Sequence, residues 1–236
     1  MRVPSATHVV LIPSYNPGRL LGPTLAGAMG AWAPVWVVDD GSTDGSLAAA
    51  EAADRVIRRA RNGGKGAAVR DGAAAAAEAG FTHVLTMDAD GQHPAGLIPR
   101  FMEVSRANPG AMVLGVPVFG AEAPALRVLG RRVSNWWTRL ETGGAVADSL
   151  FGFRVYPVGK LLAVLRESRH MRGYDLEVEA AVRLVWGGTT AINLPAPVAY
   201  PARSEGGVSH FRYLRDNALL AGMHARLLLA MLRGRR

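Results

Sequence analysis

Short runs of β-branched residues alternate with amphipathic or alanine-rich stretches through the first half of the chain. Residues 8–12 form an apolar run stopped by Pro13, which predicts a strand, a turn and then a helix to about Met29. Residues 35–38 predict a second strand, closed by Asp39, Asp40, Gly41 and Ser42. A helical stretch over 47–53 and a brief strand over 55–58 follow. Asn62, Gly63, Gly64, Lys65 and Gly66 then open an alanine-rich helix to Ala79, with Gly80 as its terminating residue. Residues 83–87 predict a fourth strand, which runs into Asp88, Ala89, Asp90 and Gly91. Strands alternating with helices predict parallel βαβ units and a sheet with helices on both faces. Ligands of such sheets bind beyond the carboxyl ends of the strands. The acidic pairs Asp39/Asp40 and Asp88/Asp90 both fall at such ends, so the pattern brings them to one crevice.

The second half is less regular. Residues 112–116 predict a fifth strand, 125–140 a basic helix, 151–156 a further strand and 176–186 a helix, and 192–200 an extended segment broken by prolines. Residues 214–233 read as a strongly apolar helix with a narrow basic seam. Arg215, Gly222, Arg226 and Arg233 share one line, and Leu219, Leu220, Met223, Leu227, Leu228 and Met231 cover much of the rest. A helix of this kind packs on its own domain, on a partner, or on a membrane surface. No internal repeat or polar linker breaks the chain, so the expected division is one domain over 1–212 followed by the helix over 213–236. The N-terminal apolar run is too short for a secretory signal, and no stretch of ~20 apolar residues predicts a membrane span. The expected place is the cytoplasm, peripheral at the inner face of the cell membrane.

Composition narrows the chemistry. The 236 residues include no cysteine, which excludes disulfides, thiolate metal sites and cysteine nucleophiles. Lys plus Arg is 27 against 19 for Asp plus Glu, a formal charge of +8, and 49% of residues are hydrophobic. With a sequence pI of about 10.7, the surface attracts anions: nucleotide phosphates, anionic lipid headgroups or nucleic acid.

Asp88 and Asp90 fall on the same side of an extended segment and can share a hard divalent cation that stays bound to substrate phosphates. Gln92 and His93 are further donors within reach, although a polar turn after a strand is also rich in Asp and Gly. Residues 39–46 read as a turn with Ser42 or Asp44 capping the next helix, and the Asp39/Asp40 doublet, more than a cap requires, can accept from a nucleobase N–H or a ribose hydroxyl. Residues 62–66 offer backbone amides, a helix N-terminus and Lys65 to an anion, and read equally well as a glycine-rich turn. Neither a Walker loop nor a dinucleotide fingerprint is present, and the six histidines hold no H-E-x-x-H spacing. His8 and His83 read as packed strand residues. His210 reads equally as a pocket or a surface residue.

Together these segments resemble the family-two glycosyltransferases of the GT-A fold, particularly the dolichyl- and polyprenyl-phosphate mannose synthase branch. The resemblance rests on residues 12–16, 37–46, 62–70 and 87–94, with weaker stretches at 127–135 and 148–157. Residues 174–212 are similar to a bacterial subgroup associated with lysophospholipid-acyltransferase-like proteins. The resemblance implies an α/β three-layer sandwich with a mostly parallel central sheet. It implies that Pro13, Tyr15, Val38 and Asp40 hold the base and ribose of a GDP- or UDP-linked sugar. Asp88, Ala89 and Asp90 would form the metal-diphosphate site for Mg²⁺ or Mn²⁺, with Gln92 as a further ligand. Arg127 and Arg132 would face the diphosphate or the acceptor phosphate, and Lys65 would add positive charge. Pro17, Pro117 and His210 replace an acidic residue, an arginine and a lysine of the family pattern. The expected reaction is inverting transfer to a lipid-linked acceptor, either polyprenyl phosphate or a lipid hydroxyl. Asp90 and Arg132 would act at the reacting centre, and Asp148, then Glu179, would be the base that a hydroxyl requires. An anionic membrane surface is an expected partner, nucleic acid is not, and a homodimer is open. The rival readings are a haloacid-dehalogenase-like phosphatase, which shares Asp-x-Asp-Gly but continues with Thr where this chain has Gln92, and a basic nucleic-acid-binding module.

Overall fold

A computed structural model describes residues 2–120, 125–168, 170–173, 175–199 and 213–234. Its centre is a seven-stranded sheet in the order β5 (Arg55–Arg58), β4 (Val35–Asp39), β2 (His8–Ser14), β6 (His83–Thr86), β8 (Arg154–Pro157), β7 (Met112–Val118) and β9 (Ala191–Pro197). Strand β8 runs antiparallel to both neighbours and every other pairing is parallel. All seven residues of β2 and all five of β4 are buried, as expected of strands covered on both faces. A separate two-stranded parallel sheet joins β1 (Val3–Pro4) to β3 (Trp32–Ala33).

Helices cover the sheet on both sides. Leu21, Leu25 and Ala28 of α1 (Leu21–Ala31) and Ile98, Phe101 and Met102 of α4 (Ile98–Ala107) pack on one face, beside the single turn of α2 (Leu47–Ala50). The other face carries α3 (Lys65–Glu78), α6 (Val158–Glu167) and α7 (Asp175–Trp186) through Val69, Ala73, Leu161, Leu165 and Leu176. The small residues of α3 serve close approach: a β-carbon on Gly72 would stand 2.8 Å from Val38 Cγ2 and 3.1 Å from Leu11 Cδ1. Helix α8 (Tyr213–Leu232) packs Leu220, Met223 and Leu227 against Val178 and Val182 of α7, and also touches α5 (Ala125–Thr142).

The expected α/β sandwich is therefore present. Two of its helices, α4 and α6, go beyond the sequence expectations, as does the reversal of β8. The strand expected at 151–156 pairs only from Arg154 onwards, and the helix expected at 47–53 is four residues long. His8 and His83 open adjacent strands and stack with ring centroids 4.4 Å apart. Burial, with help from His83 and Arg106, lowers the His8 pKa to about 4, so the ring packs uncharged. His210 lies outside the described residues.

Candidate active site

The ends of β4, β2 and β6 stand side by side because register fixes them. Ser14 of β2 is the Cα partner of Asp39, and Leu11 is the partner of Thr86. The acidic pairs thus emerge on either side of one strand, about 10 Å apart at the usual strand spacing. The Asp40 amide donates to Ser14 O at 2.8 Å, and the Met87 amide to Leu11 O at 3.0 Å. Polar ties lock the loops above. The Thr43 amide donates to Asn16 Oδ1 at 2.8 Å, and the Gly18 amide to Asp44 Oδ2 at 2.8 Å.

Asp40 does not present a free carboxylate to this crevice. It is 2% exposed and accepts from the Gly63 amide at 3.0 Å, the Gly64 amide at 2.8 Å and the Arg59 guanidinium. Its observed part is to clamp the glycine loop, and these donors occupy the carboxylate that the resemblance assigns to base and ribose. Gly64 has φ +87°, and a β-carbon on it would stand 2.1 Å from Arg172 O; on Gly66 it would stand 1.7 Å from Met171 O. Only glycine allows the loop to seat against residues 171–172. Pro13 and Val38 are paired across β2 and β4 and buried, with the Val38 side chain under α3, so neither side chain reaches outward. Tyr15, 42% exposed, is open to a ligand.

The clamped loop aims Lys65 at the second acidic pair. Its ammonium forms ion pairs with both Asp88 and Glu177. Burial alone would depress this ammonium, but the two carboxylates outweigh it and hold the Lys65 pKa above the ordinary lysine value. Burial would likewise raise Asp88, and the Lys65 charge overcomes it, so Asp88 stays below the usual carboxylate range. Asp90 behaves oppositely: burial and the neighbouring Asp88 charge push its pKa up. His93 accepts from the Asp88 amide at 2.9 Å, packs on Phe151 with centroids 4.6 Å apart, and is held neutral chiefly by burial. The Gln92 amide donates to Asp90 Oδ1 at 3.0 Å, and Ala89 is buried between the two acids. A β-carbon on Gly152 would lie 2.9 Å from both Lys65 Nζ and Asp88 Oδ2, so a side chain there would displace the ends of both.

Three further candidates, Arg132, Asp148 and Glu179, have surroundings that the sequence does not specify. Arg132 points away and is exposed; Arg131 turns inward and pairs with Asp148 at 2.5 Å. Adjacent helical positions differ by about 100°, so the basic stretch alone leaves the inward residue undetermined. Arg131 lies over the Phe119 ring at 5.4 Å, and its buried Nε has no hydrogen-bond partner among the described residues. Asp148 is no free base: it accepts from Arg131, from Asn135 Nδ2 at 2.9 Å and from the Leu150 and Phe151 amides at 3.1 and 2.9 Å. Glu179 is also engaged, by Ser168 Oγ at 2.8 Å, Arg183 at 2.8 Å and Arg226 at 3.5 Å, on the side of α7 toward α8. Arg127 belongs to the start of α5.

Two contributors were absent from the sequence reading. Glu177 completes the Lys65 bridge. Arg154, fully buried, ties the walls together by donating to Phe151 O at 2.6 Å, Glu177 O at 2.5 Å and Asp148 O at 3.1 Å. Charged residues inside otherwise apolar segments were the available signal, because a buried charge needs a partner.

Residues 9–160 match the family model described as Glycosyl transferase family 2. The chain belongs to this family. Among its curated relatives is the undecaprenyl-phosphate mannosyltransferase of Micrococcus luteus, 28% identical over 208 residues and covering 79% of this chain and 81% of the relative. The polyprenol monophosphomannose synthase of Mycolicibacterium smegmatis is 27% identical over 205 residues, covering 81% and 77%. The same fold occurs in glucosyl-3-phosphoglycerate synthase from Mycobacterium tuberculosis, solved with Mn²⁺, uridine diphosphate and phosphoglyceric acid. That structure has a TM-score of 0.67 at 18% identity, over 97% of this chain and 78% of the other. The glycosyltransferase therefore carries its acidic pairs on a sheet of the expected class, and the phosphatase and nucleic-acid readings fall away. No group of three His, Asp or Glu side chains is gathered to hold a metal ion among the described residues.

Proposed function

We propose that the enzyme transfers a hexose, with inversion, from a GDP- or UDP-linked donor to a lipid-linked phosphate at a membrane surface. The observation that carries this reading is the meeting of Asp88, Asp90 and Lys65 at the lip formed by β2, β4 and β6. The names of the mannosyltransferase relatives support a mannosyl group and a polyprenyl-phosphate acceptor.

The acidic pair fits a divalent cation, Mg²⁺ or Mn²⁺. Asp90 is held in a site where its own ionisation is penalised by burial and by Asp88, a penalty that a bound cation removes. When bound, such an ion supplies Lewis-acid neutralisation of the departing diphosphate. Asp88 and Asp90 would hold it, with Gln92 as a further donor and the remaining positions left to donor phosphates. Lys65, held by Asp88 and Glu177, adds a fixed positive charge where the leaving diphosphate gains negative charge. Arg131, whose Nε has no hydrogen-bond partner among the described residues, would offer a second cation to the acceptor phosphate. The acceptor oxygen attacks the anomeric carbon from the face opposite the leaving group. The engagement of Asp148 and Glu179 favours a phosphate acceptor over a hydroxyl, because an ionised phosphate needs no general base.

A surface for lipid is offered by α5, where Leu129, Val133, Trp136 and Leu140 form one apolar stripe, each at least half exposed, beside the exposed Arg132 and Arg139. No helix among the described residues is long and apolar enough to cross a membrane, so this contact would be peripheral. The catalytic domain is taken as 1–212, with the helix from 213 packed against α5 and α7. The enzyme is incubated with GDP-mannose or UDP-glucose, Mn²⁺ and undecaprenyl phosphate. A glycosylated lipid phosphate with either donor supports the reading. Donor turnover only with a soluble acceptor, or no transfer in either case, overturns it.

A further inference from the structure

A strongly basic cavity lies outside the acidic site. Between the glycine loop, the first turns of α3 and the end of α6 is a cavity of about 640 Å³. Five arginines, Arg59, Arg61, Arg70, Arg166 and Arg172, line it together with Asn62, and no aspartate or glutamate does among the described residues. Neither Lys65, Asp88 nor Asp90 belongs to its wall, so it is distinct from the lip where the donor is placed.

Its charge is only partly balanced. Arg59 is taken up by Asp40 and Asp71, and Arg70 lies 3.5 Å from Asp71. Arg61, Arg166 and Arg172 form no ion pair among the described residues. The framework behind them is firm, because Gly64 and Gly66 sit against Arg172 O and Met171 O with no room for a β-carbon. Guanidinium groups gathered around one concavity repel each other until an anion enters, and their planar forks suit phosphate oxygens in pairs.

We propose that this cavity binds a small phosphorylated anion carrying two or more negative charges, a phosphomonoester or a diphosphate, independently of divalent metal and of the donor site. The phosphate can come from a soluble metabolite or from a lipid headgroup, and the experiment separates the two. The full chain is titrated calorimetrically in EDTA with inorganic pyrophosphate, and in parallel with vesicles containing phosphatidic acid. The variants are Arg166→Ala/Arg172→Ala, whose replaced side chains are exposed, and Asp90→Asn. The double variant is expected to weaken binding by about tenfold or more through lost charge-assisted contacts, while Asp90→Asn leaves it within about twofold. Response to pyrophosphate assigns a soluble ligand; arginine-dependent response to vesicles alone assigns a headgroup. Equal binding by wild type and the double variant, loss on Asp90→Asn, or no binding in either arm overturns the proposal.

Discussion

Replacing Asp148 separates a structural brace from a catalytic base. Its carboxylate is 2% exposed and receives four donors: the Arg131 guanidinium at 2.5 Å, Asn135 Nδ2 at 2.9 Å, and the Phe151 and Leu150 amides at 2.9 and 3.1 Å. Asp148→Ala leaves the Arg131 charge and two amides without their acceptor. Breaking a buried ion pair costs about 3–5 kcal/mol, to which each unsatisfied buried donor adds ~1–3 kcal/mol unless water enters. Taking the lower figure as the net, about 3–5 kcal/mol, the melting temperature falls by roughly 6–20 °C for a chain of this size. Asp148→Asn keeps one acceptor oxygen and loses the charge facing Arg131, so its loss is smaller, about 1–3 kcal/mol. Thermal unfolding followed by circular dichroism, paired with transfer rates on the same preparations, reads both effects. The brace account requires activity to fall with Tm across the two variants. An Asp148→Asn enzyme that melts within about 1 °C of wild type yet loses more than about 100-fold in kcat would refute it and restore Asp148 as the base.

Other outcomes follow from the same geometry. Arg131→Ala should lower kcat/KM by about tenfold or more, while the exposed Arg132→Ala stays near wild type in a steady-state transfer assay. Because burial and Asp88 raise the Asp90 pKa above its unfolded value, this group favours folding most below the unfolded pKa and loses that contribution as pH rises through its folded pKa. Stabilisation by Mn²⁺, which needs the carboxylate, should therefore grow as pH rises above the ordinary aspartate range, as read by thermal shift. Gly66→Ala forces a β-carbon to 1.7 Å from Met171 O and should cost at least about 2 kcal/mol in urea unfolding, with loss of the Lys65 position. Trp136→Ser, at a 60% exposed site, should weaken flotation with anionic vesicles while Tm is unchanged.

The first half of the fold is legible because its strands are short apolar runs bounded by Pro, Asp and Gly, and parallel pairing then brings the strand ends together. The same logic places Asp88 and Asp90 in the crevice and the glycine loop beside them. Helix α4 escaped the sequence reading because Pro99 and Ser105 look like breakers there, although Pro99 sits in the first turn, where proline is tolerated. Helix α6 escaped because it starts immediately after β8, with Pro157 as its N-cap and no turn residue between. The roles of Asp40, Asp148 and Glu179 were not legible for a different reason. A carboxylate's availability depends on which donors fold against it, and Gly63, Arg131 and Arg226 lie 23, 17 and 47 residues along the chain from Asp40, Asp148 and Glu179. Arg131 against Arg132 is likewise a choice of helical phase, set by the packing of Ser134 and Thr138 into the core.

The central claim is that Asp90, beside Asp88 and Lys65, gathers a cation and a nucleoside diphosphate at one strand end. The direct measurement is the thermal shift of wild type and Asp90→Asn with UDP and GDP, each with and without Mn²⁺. At a ligand concentration of 100 times Kd, binding stabilises by about 2.7 kcal/mol, or roughly 5–11 °C here. The account predicts that wild type gains such a shift from one nucleotide only when Mn²⁺ is present, and that Asp90→Asn, unfolding no earlier than wild type on its own, gains none. A nucleotide shift of the same size in Asp90→Asn, or none in wild type with the metal, contradicts it.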